Sequence, residues 1–215
     1  MNDLRSLLPE TEKVLTLLAG LNLLSEFTFV GGSALSVYLS HRYSEDIDLF
    51  TWNKTLNTQS ILDQLNNAGF NNIRIVNLSQ IQSDFFIDNV KVTFFANGWE
   101  ELKQRKSITG HLSIATLPTI AIMKINTLFM RAKFRDYYDL YVLTKEKHFT
   151  ISEMYELAKK KMNNLSLSLF QRALTFTQDI EDESLNRLSP KYPVSIKQIE
   201  DYFTNEVIKW NKQLR

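Results

Sequence analysis

The spacing of apolar residues switches between helical and strand periods several times before residue 97, and is almost wholly helical after residue 117. Leu4 to Leu24 carries apolar residues at helical intervals and predicts one or two amphipathic helices. Glu26 to Val30 (EFTFV) reads as a short strand rich in Phe, Thr and Val. Gly31-Gly32 breaks it, and Ser33 is a good N-cap for a helix over Ala34 to Leu39. Asp46 to Trp52 predicts a second strand, and Thr58 to Ala68, with apolar residues at 61, 62, 65 and 68, a helix ending at Gly69. Asn72 to Asn77 reads as a strand. Ser83 to Ile87 and Val90 to Phe95 form a hairpin around Asp88-Asn89. Up to residue 97 the pattern predicts an α/β region with a mixed sheet of about five strands.

Pro118 suits the first turn of a helix, and Ile120, Met123, Leu128 and Met130 supply its apolar faces. Tyr137 to Leu143, Ser152 to Met162, Ser166 to Phe176 and Ile196 to Trp210 continue the helical series, with Pro190 and Pro193 marking a loop before the last. If residues 124–139 form one continuous helix, Lys124, Arg131 and Arg135 share a face, and three cations in a row match a triphosphate. Asp136 and Asp139 stand three residues apart and suit ion pairs with Arg135 or Lys133. Tyr137, Tyr138 and Tyr141 read as packing residues, or one of them as a platform for a base.

The candidate chemistry lies between the first two strands. Side chains alternate along a strand, so Asp46 and Asp48 point one way and Glu45, Ile47 and Leu49 the other. Two carboxylates on one face repel unless a cation lies between them. Hard oxygen ligands suit Mg²⁺ (or Mn²⁺), which takes one or two protein carboxylates and fills its shell with water and phosphate oxygens. Strand, Gly31-Gly32, then a helix start is a phosphate-binding geometry, because the backbone approaches closely and the free N–H groups attract an anion. Arg42 is placed either to touch phosphate or to brace Asp46. His41, His111 and His148 are not at ligand spacing.

The segment FVGGSALSVYLSHRYSEDIDLF resembles the first motif of the nucleotidyltransferase superfamily related to DNA polymerase β. Within that superfamily it is similar to the AbiEii/AbiGii toxin family of abortive-infection and type IV toxin–antitoxin systems. A second block, from Leu117-Pro118 to Met123-Lys124 and then RAKFRDYYDL over 131–140, is similar to the family's later motifs. The resemblance implies an α+β fold: a polymerase β-like mixed-sheet nucleotidyltransferase domain over residues 1–112 and a helical domain over 113–215. It implies that Gly31, Gly32 and Ser33 contact nucleotide phosphate, with Arg42, Arg131 and Arg135 as further phosphate-binding candidates. Asp46 and Asp48 become the metal ligands, Lys124 the cation facing the triphosphate, and Asp136 the acidic residue of the last motif. The superfamily's third carboxylate is missing from the expected strand, where Thr93 stands. Asp84 and Asp88 replace it only if they reach the cleft.

The implied reaction is metal-dependent transfer of a nucleoside monophosphate from an NTP to an acceptor, with an RNA end such as tRNA as the acceptor and a nearby-encoded antitoxin as partner. The alternatives are a degenerate, non-catalytic nucleotide-binding protein and an antibiotic-modifying transferase of the aminoglycoside type. Composition narrows this further. There is no cysteine, so disulfides and thiol catalysis are excluded, which fits a cytoplasmic protein. The N-terminus lacks a signal-peptide shape, and no apolar stretch is long enough to span a bilayer, so no membrane role is expected. Net charge is +1, too balanced to demand nucleic acid, and the basic residues concentrate after residue 99.

Overall fold

The computed structural model describes residues 4–96, 103–181 and 185–214. The chain divides into two compact units, one running to Thr119 and one from Ile120.

The first unit is built on a seven-stranded mixed sheet. Its strands are β1 (Thr28–Val30), β2 (Ile47–Thr51), β3 (Ile73–Leu78), β4 (Gln82–Ile87), β5 (Val90–Ala96), β6 (Arg105–Thr109) and β7 (Leu112–Ala115). They lie in the order β3-β4-β5-β2-β1-β7-β6. β1 pairs antiparallel with β2 and parallel with β7, and β2 runs parallel to β5. Among its described residues are the α-helices α1 (Pro9–Ala19), α2 (Gly31–Leu39) and α3 (Thr58–Asn66). One sheet face is apolar, with Ile47, Leu49, Val92, Phe94, Phe85 and Ile87 all fully buried. Phe85 and Phe94 meet edge to face at 5.9 Å, the arrangement that aromatic quadrupoles favour.

Four expectations change. The hairpin β6–β7 adds two strands beyond the expected five. β7 carries the sheet past the expected boundary at residue 112. Glu26 belongs to a 3-10 turn over Asn22–Glu26, so β1 is shorter than the five-residue strand expected. α2 starts at Gly31, not Ala34; Val30 is its N-cap residue and no side chain caps it. Ser33 therefore lies inside the first turn, where its hydroxyl is available for other partners.

The second unit contains α4 from Ile120 on (the helix spans Leu117–Met130), α5 (Phe134–Lys145), α6 (Ile151–Lys159), α7 (Leu167–Thr175) and α8 (Ile196–Gln213). α8 packs on α5, α6 and α7 and buries Ile199 and Phe203. Tyr155 stacks at a tilt against Phe170 and Trp210, and Tyr141 meets Tyr192 and Tyr202 edge to face. No described helix is long and apolar enough to cross a membrane.

The continuous helix over 124–139 is not formed. The chain breaks at Ala132, whose φ of 28° is outside the helical range. Lys133 is extended (φ −115°, ψ 157°) and starts a new helix. Lys124 and Arg135 thus lie on different helices with Arg131 in the bend between them, and the three do not form one helical face.

Candidate active site

Gly31 and Asp48 form the centre of the first unit's site. Gly31 has φ +78°, a conformation that costs glycine little and other residues much. A Cβ at this position would collide with Asp48 Oδ2 and lie 3.2 Å from Asp48 Cγ. The diglycine bend therefore presses bare backbone against a carboxylate of the D-x-D pair. The ladder explains the proximity, because Val30 stands opposite Asp48 in the β1–β2 pair.

Asp46 lies one residue before β2, and both Asp46 and Asp48 are half-buried. The loop before them is held from several sides. Ser33 Oγ is 2.7 Å from Ser44 Oγ and also donates to the Asp46 carbonyl. Leu8 N–H donates to Ser44 O at 3.1 Å, Thr11 Oγ1 to Glu45 O at 3.0 Å, and Ser6 and Ser40 hydroxyls meet at 3.0 Å. Arg42, 4% exposed, donates from Nη1 to Tyr43 O at 3.1 Å and Ser44 Oγ at 3.4 Å. Ser33 and Arg42 thus both bond to the acid-bearing loop.

The sheet register adds a residue to the site. Asp48 stands opposite Thr93 on β5, Thr93 opposite Asp84 on β4, and Asp84 opposite Asn77 on β3. Directly opposed residues project from the same face, so these four side chains form one row. Thr93 Oγ1 donates to Asp84 Oδ1 at 2.7 Å, and Gln82 Nε2 donates to Asp84 Oδ2 at 2.8 Å. Two strand spacings place the Asp84 and Asp48 backbones about 10 Å apart. Asp88 does not join this row. It occupies the β4–β5 turn with φ 47°, four residues further along, and accepts from Asn72 N–H at 2.9 Å.

In the second unit, Lys124 Nζ lies 2.9 Å from Asp136 Oδ1 and 2.6 Å from Asp139 Oδ2, with all three side chains buried. Asp136 also accepts from the Lys133 N–H at 3.3 Å, holding the start of α5. Arg131 is exposed and reaches Asp136 at 3.8 Å. Arg135 is half-buried. Asp139 thus shares the lysine with Asp136. Tyr137 donates to Ala173 O or Phe176 O, 2.9 and 3.0 Å away, and Tyr138 Oη accepts from Tyr192 N–H, so both are packing residues. Burial, with Asp136 and Glu200 adding to it, pushes the Tyr137 hydroxyl up to about 12.

Residues 16–105 match the family model described as nucleotidyl transferase AbiEii toxin, Type IV TA system. The match is to the AbiEii nucleotidyltransferase toxins. An uncharacterized protein of Aquifex aeolicus (strain VF5) is 27% identical over 206 residues, covering 95% of this chain and 97% of its own. A candidate nucleotidyltransferase from Helicobacter pylori superposes with a TM-score of 0.58 at 20% identity, over 96% of this chain and 97% of that one. MenT4, a nucleotidyltransferase toxin of Mycobacterium tuberculosis H37Rv, gives 0.58 at 14% identity, over 93% and 84%. These superpositions show the fold. The AbiEii match agrees with the resemblance read from the motifs, and nucleotidyltransferases are enzymes.

Among the described residues no three His, Cys, Asp or Glu side chains cluster as a metal cage. Asp46 and Asp48 fit a divalent ion whose remaining ligands are water and substrate phosphate, the usual pattern for Mg²⁺. A cavity of about 400 Å³ lies at the other end of β2, lined by residues including Glu26, Thr51, Asn53, Asn57 and Gln80, and contains neither acid. Asp84 lies on the strand before Thr93, as expected, and the pairing sets it opposite Thr93. The signal was present, since a two-residue turn at Asp88-Asn89 fixes Asp84 opposite Thr93.

Proposed function

We propose that this AbiEii-type chain is a metal-dependent nucleotidyltransferase that moves a nucleoside monophosphate from an NTP to a hydroxyl at an RNA end, tRNA included, as a toxin paired with an antitoxin. The observation that supports it most is the approach of the Gly31 backbone to the Asp48 carboxylate, because it sets a phosphate-binding bend against a metal-ligand pair. Gly31 and Gly32 N–H groups at the start of α2 bind phosphate oxygens. Asp46 and Asp48 would hold Mg²⁺ or Mn²⁺, which would offset charge on the phosphates.

The acceptor oxygen forms a bond to the α-phosphorus, the bond from that phosphorus to the bridging oxygen breaks, and pyrophosphate leaves with the electron pair. Asp84, on the same face as Asp48, receives the hydroxyl proton directly or through water. In the second unit Lys124 is taken up by Asp136 and Asp139, and the three hold the start of α5, with Arg131 beside Asp136. Positioning and electrostatics account for most of phosphoryl-transfer catalysis, so few residues need to move protons.

The test is incubation with NTPs labelled at the α-phosphorus and total RNA. Label enters RNA with the wild type and falls about 100-fold with Asp46→Ala. Unchanged labelling in that variant rejects the assignment. Thr93, standing beside Asp48 where an acid is expected, favours a second reading as a nucleotide-binding protein without turnover. Tight NTP binding by calorimetry, with no label transferred to RNA or to aminoglycosides, would select it.

A further inference from the structure

Beside the row Asp48–Thr93–Asp84–Asn77 runs a second row on the same face. Arg74 on β3 stands opposite Phe86 on β4, and Phe86 opposite Lys91 on β5. Continuing the β2–β5 register by one residue sets Lys91 beside Asp46, since Ile47 already pairs with Val92. Asp46, Lys91, Phe86 and Arg74 therefore lie in order from the D-x-D acids to the sheet's outer edge. Three strand spacings make this about 14 Å. The Arg74 guanidinium lies over the Phe86 ring, 4.5 Å from its centroid. Arg74 and Lys91 are exposed and Phe86 is half-buried.

A cation–π pair alone is a common surface feature. Two further observations give this one direction. β3 is an edge strand, so the row is open at its outer end. Its inner end reaches the acids where a nucleotide would react. Planar guanidinium, aromatic ring and ammonium, aligned across a β-sheet, match the groups that bind single-stranded nucleic acid: flat surfaces for bases and cations for the backbone.

We propose that Arg74, Phe86 and Lys91 form the track on which a single-stranded RNA end lies as its terminal hydroxyl reaches the D-x-D acids. The last unpaired base stacks on the Arg74–Phe86 pair, and Lys91 meets the adjoining phosphate. That the bound RNA end is the acceptor rests on the transferase reading above, but the track itself is a binding surface measurable without any reaction.

The experiment measures binding of a fluorescent single-stranded oligoribonucleotide with a free 3′ hydroxyl by anisotropy, with no NTP present, for wild type, Arg74→Glu/Lys91→Glu and Asp46→Ala. The double variant is expected to lose at least tenfold in affinity and to flatten the salt dependence by about 0.7 in log K per log salt, the share of the single-strand phosphate contact made by Lys91. Its thermal midpoint stays at the wild-type value, because both side chains are exposed. In the transfer assay its KM for RNA rises by a similar factor. Asp46→Ala binds the oligonucleotide and transfers about 100-fold less label. Arg74→Glu alone, with about half the loss, is the second variant should the double variant fold poorly.

Wild-type affinity in the charge-reversed proteins, or no oligonucleotide binding by the wild type, overturns the track. Binding that depends on Arg74 and Lys91 in a protein that labels no acceptor supports the track while overturning the transferase reading.

Discussion

The Thr93 hydroxyl donates a 2.7 Å hydrogen bond to the Asp84 carboxylate. An alcohol thus stands beside Asp48, and the nearest acid in the row is displaced by one strand. Catalysis through Asp84 predicts that Asp84→Asn lowers kcat about 100-fold with KM for NTP little changed, the size of a lost general base. Thr93→Val, which removes only the donor, costs less. Single-turnover labelling of RNA measures both. Equal activity of Asp84→Asn and wild type removes Asp84 from the mechanism.

Gly31→Ala should be costly for two separable reasons. Its φ of +78° strains any side chain, by about 1–3 kcal/mol. The new methyl also collides with the Asp48 carboxylate and pushes it from its place. Denaturant melts read the first effect. The second appears as an Mg²⁺ requirement raised about tenfold or more, the scale of a disturbed metal ligand. Gly69→Ala is the control: φ is +76°, but nothing lies within 4 Å, so only the melt changes.

Lys124→Met should destabilise the second unit by about 3–5 kcal/mol, because it removes the buried ammonium that two buried carboxylates share. Asp139→Asn in the same background recovers part of that loss by removing one charge. A urea-midpoint cycle over the two positions gives the coupling. Additive effects would show that the 2.6 Å contact contributes nothing.

Tyr137 predicts an alkaline limit to stability. Its hydroxyl ordinarily titrates at 10.0 and does so at about 12 in the folded chain. The folded state keeps a proton that the unfolded state releases in this window. Tyr137 therefore contributes fully below pH 10, and its contribution falls as pH rises through 12. Tyr137→Phe removes the donor to Ala173 O and Phe176 O. It costs about 1 kcal/mol at neutral pH and gives a shallower fall above pH 10. Thermal midpoints of both proteins from pH 8 to 11 test the difference in slope.

Much of this was legible in the sequence. Gly31, Gly32, Asp46 and Asp48 could be read because glycines and acids flank short apolar strands at the right order and spacing. The β4–β5 hairpin followed from Asp88-Asn89, whose φ values of 47° and 68° are those a two-residue turn requires. The β6–β7 hairpin was missed because Arg105 to Thr109 (RKSIT) is an edge strand with little apolar alternation. The helix break at Ala132 was missed because residues 131–133 contain neither Gly nor Pro. The Lys124–Asp136–Asp139 cluster joins two helices across that bend, so helical spacing could not find it.

The contacts from Ser6, Leu8 and Thr11 to residues 40–45 make the geometry of the acidic loop depend on the first turns of the fold. Fraying there would reach Asp46 within a few bonds, while the sheet interior stayed intact. Amide exchange at residues 44–46 should therefore track that of α1's first turn more closely than that of β5. Any agent gripping the amino-terminal segment would gain leverage over the chemistry without approaching the substrate.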